Sequence, residues 1–374
     1  MCIKSSMRNF TFTAFLYCRS VFLTCCWIIN EIIVNFALHM EKLYLFNPET
    51  DLALAANSDS YTPPANIKRL QERYALLPAL YAETGSKILV PDNFNISESP
   101  NEFVDLVSHK DIEFLYAKDL KDRCFEVYVW GWNKSVRNNL LRSGVNKNCL
   151  PTIEWLDKLR ELSHRRTTLE FQQRLRRLIP DYDIAIPIEF SDEIEAFNWA
   201  SENIGAYMKA PWSSSGRGIY QSLEPYNLSM KQWIHGIVQR QGSIIGEIGL
   251  KRSLDFATEW QISDGKAEFC GYSVFDVGNH GLYNGNIIAS KSKFETIILS
   301  HTDRWNNEYI LILKEIIEQI IAPFYSGPIG IDMLIADDGR INLCVEVNMR
   351  MTMGHVALEV WQQTRQEGSI QLEN

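Results

Sequence analysis

The most informative part of the sequence reads Gly330-Ile331-Asp332-Met333-Leu334-Ile335, then Asp337-Asp338-Gly339-Arg340, then Cys344-Val345-Glu346-Val347-Asn348-Met349-Arg350. The flanking apolar runs predict two strands, Ile329–Ala336 and Ile341–Val347, and the Asp-Gly turn between them predicts a hairpin. Side chains alternate along a strand, so Glu346, Asn348 and Arg350 share one face. Asp332 then lies near the far end of the first strand, on the sheet that carries this polar row.

These polar residues form a candidate metal site. Asp332, Glu346 and Asn348 offer two carboxylates and an amide oxygen, which suit Mg²⁺ held between the protein and nucleotide phosphates. The alternative is a strand with one solvated face. We favour the metal site because a solvated face seldom combines these polar residues with flanking runs as apolar as Gly330–Ile335.

A second segment, far away in the sequence, has the composition of a phosphate-binding loop. It reads Lys209-Ala210-Pro211-Trp212-Ser213-Ser214-Ser215-Gly216-Arg217-Gly218 and follows a predicted strand, Ala206–Lys209. Gly216 and Gly218 lack a Cβ, so backbone N–H groups can approach phosphate oxygens, and Lys209 adds a positive charge. No Gly-Lys-Ser/Thr ends the loop, so it is not a Walker loop. Taken alone, an ordinary turn between strands is the favoured explanation, because Ser/Gly loops are common.

In this order, the strand with its Lys-Ala-Pro loop, the Gly-Ile-Asp strand and the Glu-x-Asn-x-Arg strand resemble the ATP-grasp superfamily. The resemblance covers about Ser163 to Gly354. It implies an α/β (α+β) fold with two α+β lobes, preceded by a small βαβ-like N-terminal domain. The expected divisions are an N-terminal domain at 40–162, a small lobe at 163–245 and a large lobe at 246–374.

The resemblance also assigns roles to both motifs. It implies that Lys209 binds the α- and β-phosphates of ATP and that the loop closes over them through Ser213, Ser214, Ser215, Gly216, Arg217 and Gly218. It implies that Asp332, Glu346 and Asn348 hold Mg²⁺, with Glu346 bridging two ions and Mn²⁺ as a substitute. Arg350 would face the transferred phosphate or an acyl-phosphate.

The remaining nucleotide contacts are predicted less directly. The hinge that reads adenine is expected to be a strand, Ile237-Val238-Gln239-Arg240, in which Gln239 replaces the acidic residue of the family. Glu247 is our candidate for the ribose hydroxyls, since a carboxylate accepts both, and a solvated loop Glu is the alternative. Arg165 stands where the family usually has a lysine that binds phosphate.

Two further groups are candidates for the reacting end of the site. They are Asn284-Gly285-Asn286 and His355. An ordinary turn is the more common explanation for the first group, and a histidine at a helix end is the more common explanation for the second.

Composition limits the classes of partner. The chain has 374 residues, 46% of them hydrophobic, and a net charge of −9. Its length predicts two or three packed units, and the acidic balance without a Lys/Arg run argues against nucleic acid and for a small-molecule substrate. Beyond residue 40, Cys124, Cys149, Cys270 and Cys344 show no paired spacing. That predicts neither a zinc site nor a disulfide framework, and it favours a reducing, cytoplasmic location.

The first 39 residues differ from the rest. Phe10 to Leu38 is apolar, but Arg19 and Asn30-Glu31 interrupt it and leave only Ser20–Ile29 free of those interruptions. A spanning helix needs about 20 residues. We interpret residues 1–39 as an extension outside the fold, upstream of a true start at Met40, with a membrane anchor as the alternative.

The leading functional hypothesis is an ATP- and Mg²⁺-dependent ligase that joins a carboxylate to an amine through an acyl-phosphate. Its expected partners are small-molecule or peptide carboxylates and amines, and a homodimer is left open. A kinase that stops after phosphorylating a small molecule is one alternative. A non-catalytic ATP sensor or carrier-binding module is another.

Overall fold

A computed structural model describes residues 40–121, 123–213, 218–277 and 283–372. The predicted extension at residues 1–39 and the loop residues Ser214, Ser215, Gly216 and Arg217 lie outside these ranges. Within them the chain forms three sheets, of four, six and four strands. The mixed α/β class expected from the sequence is confirmed.

The N-terminal region contains a parallel sheet in the order β3-β2-β1-β4. Its elements are β1 (Glu41–Leu45), α1 (Thr50–Ala56), α2 (Ala65–Arg73), β2 (Lys87–Leu89), α3 (Asn101–His109), β3 (Glu113–Leu115), β4 (Phe125–Val129) and α4 (Lys134–Arg142). Parallel neighbours need long crossover connections, which the intervening helices supply. The predicted βαβ-like alternation is therefore present.

Two helices and a second sheet follow. The elements are α5 (Ile153–Leu162), α6 (Arg166–Leu178), β5 (Ile188–Phe190), α7 (Glu193–Glu202), β6 (Tyr207–Lys209), β7 (Ile219–Gln221), α8 (Leu228–Gln241) and β8 (Ile244–Glu247). The strands lie in the order β5-β8-β6-β7. The first strand of this sheet, β5, begins directly after Pro187. Asp192 caps α7 by accepting hydrogen bonds from two backbone N–H groups.

The predicted hinge strand is also wrong. Ile237–Arg240 lies inside α8, which Asn227 caps at its start and Gly242 ends with φ 86°. The buried residues of this helix recur with helical spacing and are Met230, Ile234, Ile237 and Val238. The apolar pair Ile237-Val238 is thus part of a helix stripe, and the strand lies just beyond it, at β8.

The C-terminal region forms the largest sheet, in the order β13-β12-β9-β10-β11-β14. Its elements are β9 (Arg252–Ser263), β10 (Lys266–Val277), β11 (Tyr283–Ile288), α9 (Lys291–His301), α10 (Glu308–Ile320), β12 (Gly327–Ala336), β13 (Ile341–Asn348), α11 (Met353–Thr364) and β14 (Gly368–Ile370). The predicted hairpin is confirmed, with Asp332 directly opposite Glu346. Gly339 in its turn has φ 81°, which favours glycine.

The core of this sheet also contains residues from earlier parts of the chain. Phe171 and Leu175 of α6 are fully buried in the same apolar cluster as Ile331 and Leu343. Conversely, Val356 of the C-terminal helix α11 is buried in the apolar cluster that covers the N-terminal sheet. The segment between β13 and α11 is therefore held between both cores. The boundaries at residues 162 and 245 stay predictions.

The structure corrects the expectation about cysteines. Cys124 and Cys149 form a disulfide, while Cys270 and Cys344 are free. Their separation of 25 residues carries no motif, and only the fold brings them together. The argument from cysteine spacing to a reducing compartment therefore loses its basis.

The described residues include no helix with both the length and the apolar character that crossing a membrane requires.

Candidate nucleotide and magnesium site

A cavity of about 940 Å³ lies where the three sheets meet. Its volume is at the upper end of the range for ligand sites. Both sequence motifs contribute to its wall, through Lys209 from the loop and through Asp332, Glu346, Asn348 and Arg350 from the hairpin. Motifs that are more than 100 positions apart in sequence thus face one space.

Lys209 and Glu247 form a buried ion pair in this wall. They lie on neighbouring antiparallel strands, β6 and β8. Lys209 Nζ lies 2.5 Å from Glu247 Oε2, and the two side chains are only 7% and 13% exposed. Glu247 is therefore not a solvated loop residue. Its predicted contact with ribose stays a prediction, but the residue lines the cavity beside the lysine.

Arg165 links the loop to the hairpin. Its side chain is 6% exposed and lies between α5 and α6. Nε donates to the carbonyl of Ala210 at 3.0 Å, and Nη2 donates to Ser213 Oγ at 3.2 Å. The same Nη2 lies 2.9 Å from Glu346 Oε1. This guanidinium therefore fixes the start of the loop relative to the candidate metal ligand.

The start and end of the loop pack closely. Gly218 has φ 80°, and a Cβ built there would lie 2.7 Å from the Cβ of Ser213. Glycine at this position is thus required by both backbone conformation and space. The predicted phosphate contacts of the residues between them lie outside the described part of the chain.

The candidate metal ligands are two carboxylates and one amide. In the ranges that the structure describes, no three His, Cys, Asp or Glu side chains cluster as a metal site. Asp332 faces Glu346 across the hairpin, and Asn348 hydrogen-bonds Asp332. Burial, then the charges of Glu346 and Glu259, raise the pKa of Asp332 to about 8. A bound cation would relieve the repulsion between the two carboxylates. Mg²⁺ suits this pair because it needs only one or two protein carboxylates beside phosphates and water.

The raised pKa of Asp332 gives a testable pH dependence. At pH 7 its carboxyl is mostly protonated in the metal-free protein, and a ligand for Mg²⁺ must be deprotonated. We expect Mg²⁺ binding at pH 7 to release close to one proton. The apparent affinity for Mg²⁺ should rise about tenfold per pH unit up to the pKa of Asp332 and level off above it. Calorimetry in two buffers of different ionisation enthalpy measures this release, and identical heats in both would contradict it.

Arg350 lies at the end of the hairpin and is held by three contacts. Nε donates to Asp51 Oδ2 at 3.0 Å, Nη1 to the Met351 carbonyl at 3.1 Å and Nη2 to Asn348 Oδ1 at 3.1 Å. Burial lowers the pKa of Arg350, but the nearby carboxylates, Asp51 foremost, outweigh this and raise it. The residue is thus a fixed cation beside the candidate metal ligands.

Glu259 is a cavity residue that the sequence analysis missed. It is 1% exposed and accepts hydrogen bonds from Ser273 Oγ at 2.8 Å and Thr352 Oγ1 at 2.9 Å. His355 Nδ1 lies 3.0 Å from its Oε2. Burial raises the pKa of Glu259, but these partners, His355 first, bring it below the ordinary value. The available signal was a Glu inside the apolar strand Phe256–Ile262.

Two glycines make room for the Glu259 carboxylate. A Cβ at Gly354 would lie 1.9 Å from Oε1, and a Cβ at Gly330 would lie 2.8 Å from Oε2. His355 is thus a buried partner of Glu259 in the first turn of α11, a position that agrees with the alternative of a helix-end histidine.

The other predicted residues divide into two groups. Asn286 lines the cavity and is 3% exposed. Gln239 and Arg240 instead lie exposed on α8 and are not among the residues of the cavity wall. The prediction that they contact adenine is therefore wrong, because it depended on a strand that is a helix.

Comparison with solved structures shows a similar fold in biotin carboxylase, at a TM-score of 0.50. No family model and no curated protein matches the chain. Biotin carboxylase from Campylobacter jejuni, solved as a β,γ-ATP complex, is 12% identical in sequence and has a TM-score of 0.50. The match covers 86% of this chain and 68% of the biotin carboxylase chain. N5-carboxyaminoimidazole synthetase from Staphylococcus aureus is 12% identical with a TM-score of 0.46, covering 84% and 71%. D-alanyl-alanine synthetase A from Vibrio cholerae is 11% identical with a TM-score of 0.40, covering 87% and 94%.

Proposed function

Because the chain has the ATP-grasp fold, we propose that it binds ATP with Mg²⁺ in the cavity and uses them to join a carboxylate to an amine. One observation carries this proposal. Lys209 and the Asp332/Glu346 pair line one cavity, and Arg165 connects the two halves through Ala210 and Glu346. The biotin carboxylase of similar fold was solved with a nucleotide of the same kind.

In the proposed complex, Lys209 binds phosphate oxygens, and the loop from Ser213 to Gly218 covers them. Glu247 holds Lys209 in place from the neighbouring strand. Asp332, Glu346 and Asn348 would hold Mg²⁺, which supplies charge neutralisation for the phosphates.

The proposed reaction has two displacements. A carboxylate oxygen of the substrate attacks the γ-phosphorus, the bond from that phosphorus to the bridging oxygen breaks, and ADP leaves. The amine nitrogen then attacks the acyl carbon, the carbon–oxygen bond breaks, phosphate leaves and the nitrogen loses a proton. Lys209 and Arg350 stabilise the negative charge that moves during both steps, and the rigid sheet positions them beforehand.

Replacing Lys209 tests the nucleotide site. Lys209→Ala should lower ATP affinity about 10-fold to 100-fold, because a hydrogen bond to a charged group contributes about 1.5–3 kcal/mol. Calorimetric titration with ATP and Mg²⁺ measures it. Lys209→Ala also leaves the buried Glu247 carboxylate without its partner. The double variant Lys209→Met/Glu247→Gln removes both charges of this pair and should lose ATP affinity as well.

The matched control for these variants is Lys251→Met. Lys251 is 85% exposed and pairs with Asp337 on the surface, so its loss should leave ATP affinity unchanged. Wild-type affinity in the Lys209 variants would remove this lysine from the nucleotide site.

A screen for ADP release tests the reaction class. The protein starting at Met40 is incubated with ATP and Mg²⁺ and with mixtures of carboxylates, amines, amino acids and peptides. We expect ADP release that requires both a carboxylate and an amine, with an amide among the products. A stable phosphorylated product without an amide would instead identify a kinase.

A further inference from the structure

We infer that the part of the cavity beside Arg350 is a subsite for a free amino acid with an apolar side chain. The charged head would pair with Arg350 and Asp51, and the side chain would pack on an apolar wall from the N-terminal region. This inference rests on the proposed function, because it names the class of substrate that the ligase would take.

The apolar wall is built mainly by the N-terminal region. Seven residues between 46 and 130 line the cavity, and they are Phe46, Pro48, Asp51, Leu52, Ile67, Leu70 and Trp130. Six of these are apolar. Phe46 and Trp130 are buried and meet edge to face at 5.2 Å, while Leu70 is half-buried on α2. Such a wall binds a ligand through apolar burial.

The wall adjoins the charged pair. Met351, the residue after Arg350, donates its N–H to the Trp130 carbonyl at 2.9 Å. Met353 and Leu372 extend the apolar surface, since both line the cavity and pack on the cluster that contains Phe46 and Trp130. A ligand whose head reaches Arg350 therefore has apolar side chains next to it.

Arg350 and Asp51 retain bonding capacity for a zwitterion. A guanidinium has five N–H donors, and the contacts to Asp51, Met351 and Asn348 use three of them. The two others can hold a carboxylate in bidentate fashion. Asp51 accepts the hydrogen bond of Arg350 through Oδ2, and its Oδ1 is the oxygen that an ammonium group would use. An ammonium beside that oxygen would complete a second, antiparallel ion pair.

The same wall argues against a phosphorylated substrate. Asp51 is the one charged side chain that the described residues 46–130 contribute to the cavity. A phosphate group there would meet an acid and apolar carbon, with no lysine or arginine from that side. A polyanion would therefore find no cationic partner on this wall and only Arg350 beside it, whereas an apolar amino acid has a partner for each of its parts.

Binding to the wild-type protein is the first test. Calorimetry with phenylalanine and leucine, each as both enantiomers, is compared with aspartate, lysine and 3-phenylpropionate, all in the presence of Mg²⁺ and a non-hydrolysable ATP analogue. We expect one enantiomer of phenylalanine or leucine to bind at least 10-fold more tightly than aspartate or lysine. Removing the ammonium, as in 3-phenylpropionate, should also lower affinity at least 10-fold.

Two variants assign these preferences to residues. Leu70→Asp should lower phenylalanine affinity at least 10-fold relative to ATP affinity, and Leu311→Asp, at a position 67% exposed on α10, should leave both unchanged. Asp51→Asn should abolish the preference for phenylalanine over 3-phenylpropionate. Equal binding of all these ligands, or wild-type discrimination in both variants, would overturn the subsite.

The outcome also separates this inference from the proposed function. A protein that binds ATP but does not discriminate among the amino acids contradicts the subsite alone. One that binds phenylalanine but no ATP contradicts the proposed function alone.

Discussion

Glu346→Gln should reduce magnesium-dependent ADP release by roughly 10³-fold, since a bound metal contributes several kcal/mol of charge stabilisation. The substitution keeps the shape of the side chain but removes the charge that faces Asp332 across the hairpin. It also weakens the contact of Glu346 with Arg165, whose other partners, Ala210 and Ser213, remain. The fold should therefore persist while metal binding fails.

The measurement is ADP release as a function of Mg²⁺ concentration, with the thermal unfolding midpoint recorded for each protein. Glu202→Gln is the matched control, because Glu202 is exposed at the end of α7 and lies outside the cavity wall. Full turnover of Glu346→Gln at the Mg²⁺ concentration that saturates the wild type would remove this residue from the metal site.

The hairpin was predictable because its information is local. Alternation of apolar and polar residues fixes which side chains share a face, and the Asp-Gly turn fixes the register. Together they place Asp332 and the polar row of β13 in one hairpin. The exact partner of Asp332 is not local information, because the pairing of Leu334 with Asn342 would set it opposite Cys344 and an irregularity between Asp332 and Leu334 shifts it to Glu346. The wrong hinge strand shows the limit of the same reasoning. Two adjacent apolar residues, Ile237 and Val238, fit a strand as well as a helix, and only the stripe back to Met230 separates them.

The contacts that complete the site were not predictable, because they join distant positions. Asp51 pairs with Arg350 from 299 positions away. Nothing in the local sequence Asn47–Asp51 points to a residue so far away in the chain. The position of Asp51 beside the cavity follows only from the packing of α11 on the N-terminal core. Local patterns reveal the strands and their faces, whereas partners across domains require the tertiary structure.

Gly354→Ala tests the packing around Glu259, and we expect it to destabilise the protein by about 3 kcal/mol, at the upper end of the cost of overpacking a core. The added Cβ would lie 1.9 Å from Glu259 Oε1 and 2.5 Å from Ser273 Oγ, so one of the two must move and lose its hydrogen bond. For a chain of 374 residues the loss corresponds to a fall of roughly 4 °C in the thermal unfolding midpoint, at about 2.1 cal/mol/K of unfolding entropy per residue. Gly368→Ala is the control, since nothing lies within 4 Å of a Cβ there.

In a Glu259→Ala background the same Gly354→Ala change should cost far less stability, because the Glu259 carboxylate is gone. Equal midpoints for Gly354→Ala and Gly368→Ala would show that the carboxylate does not occupy this space.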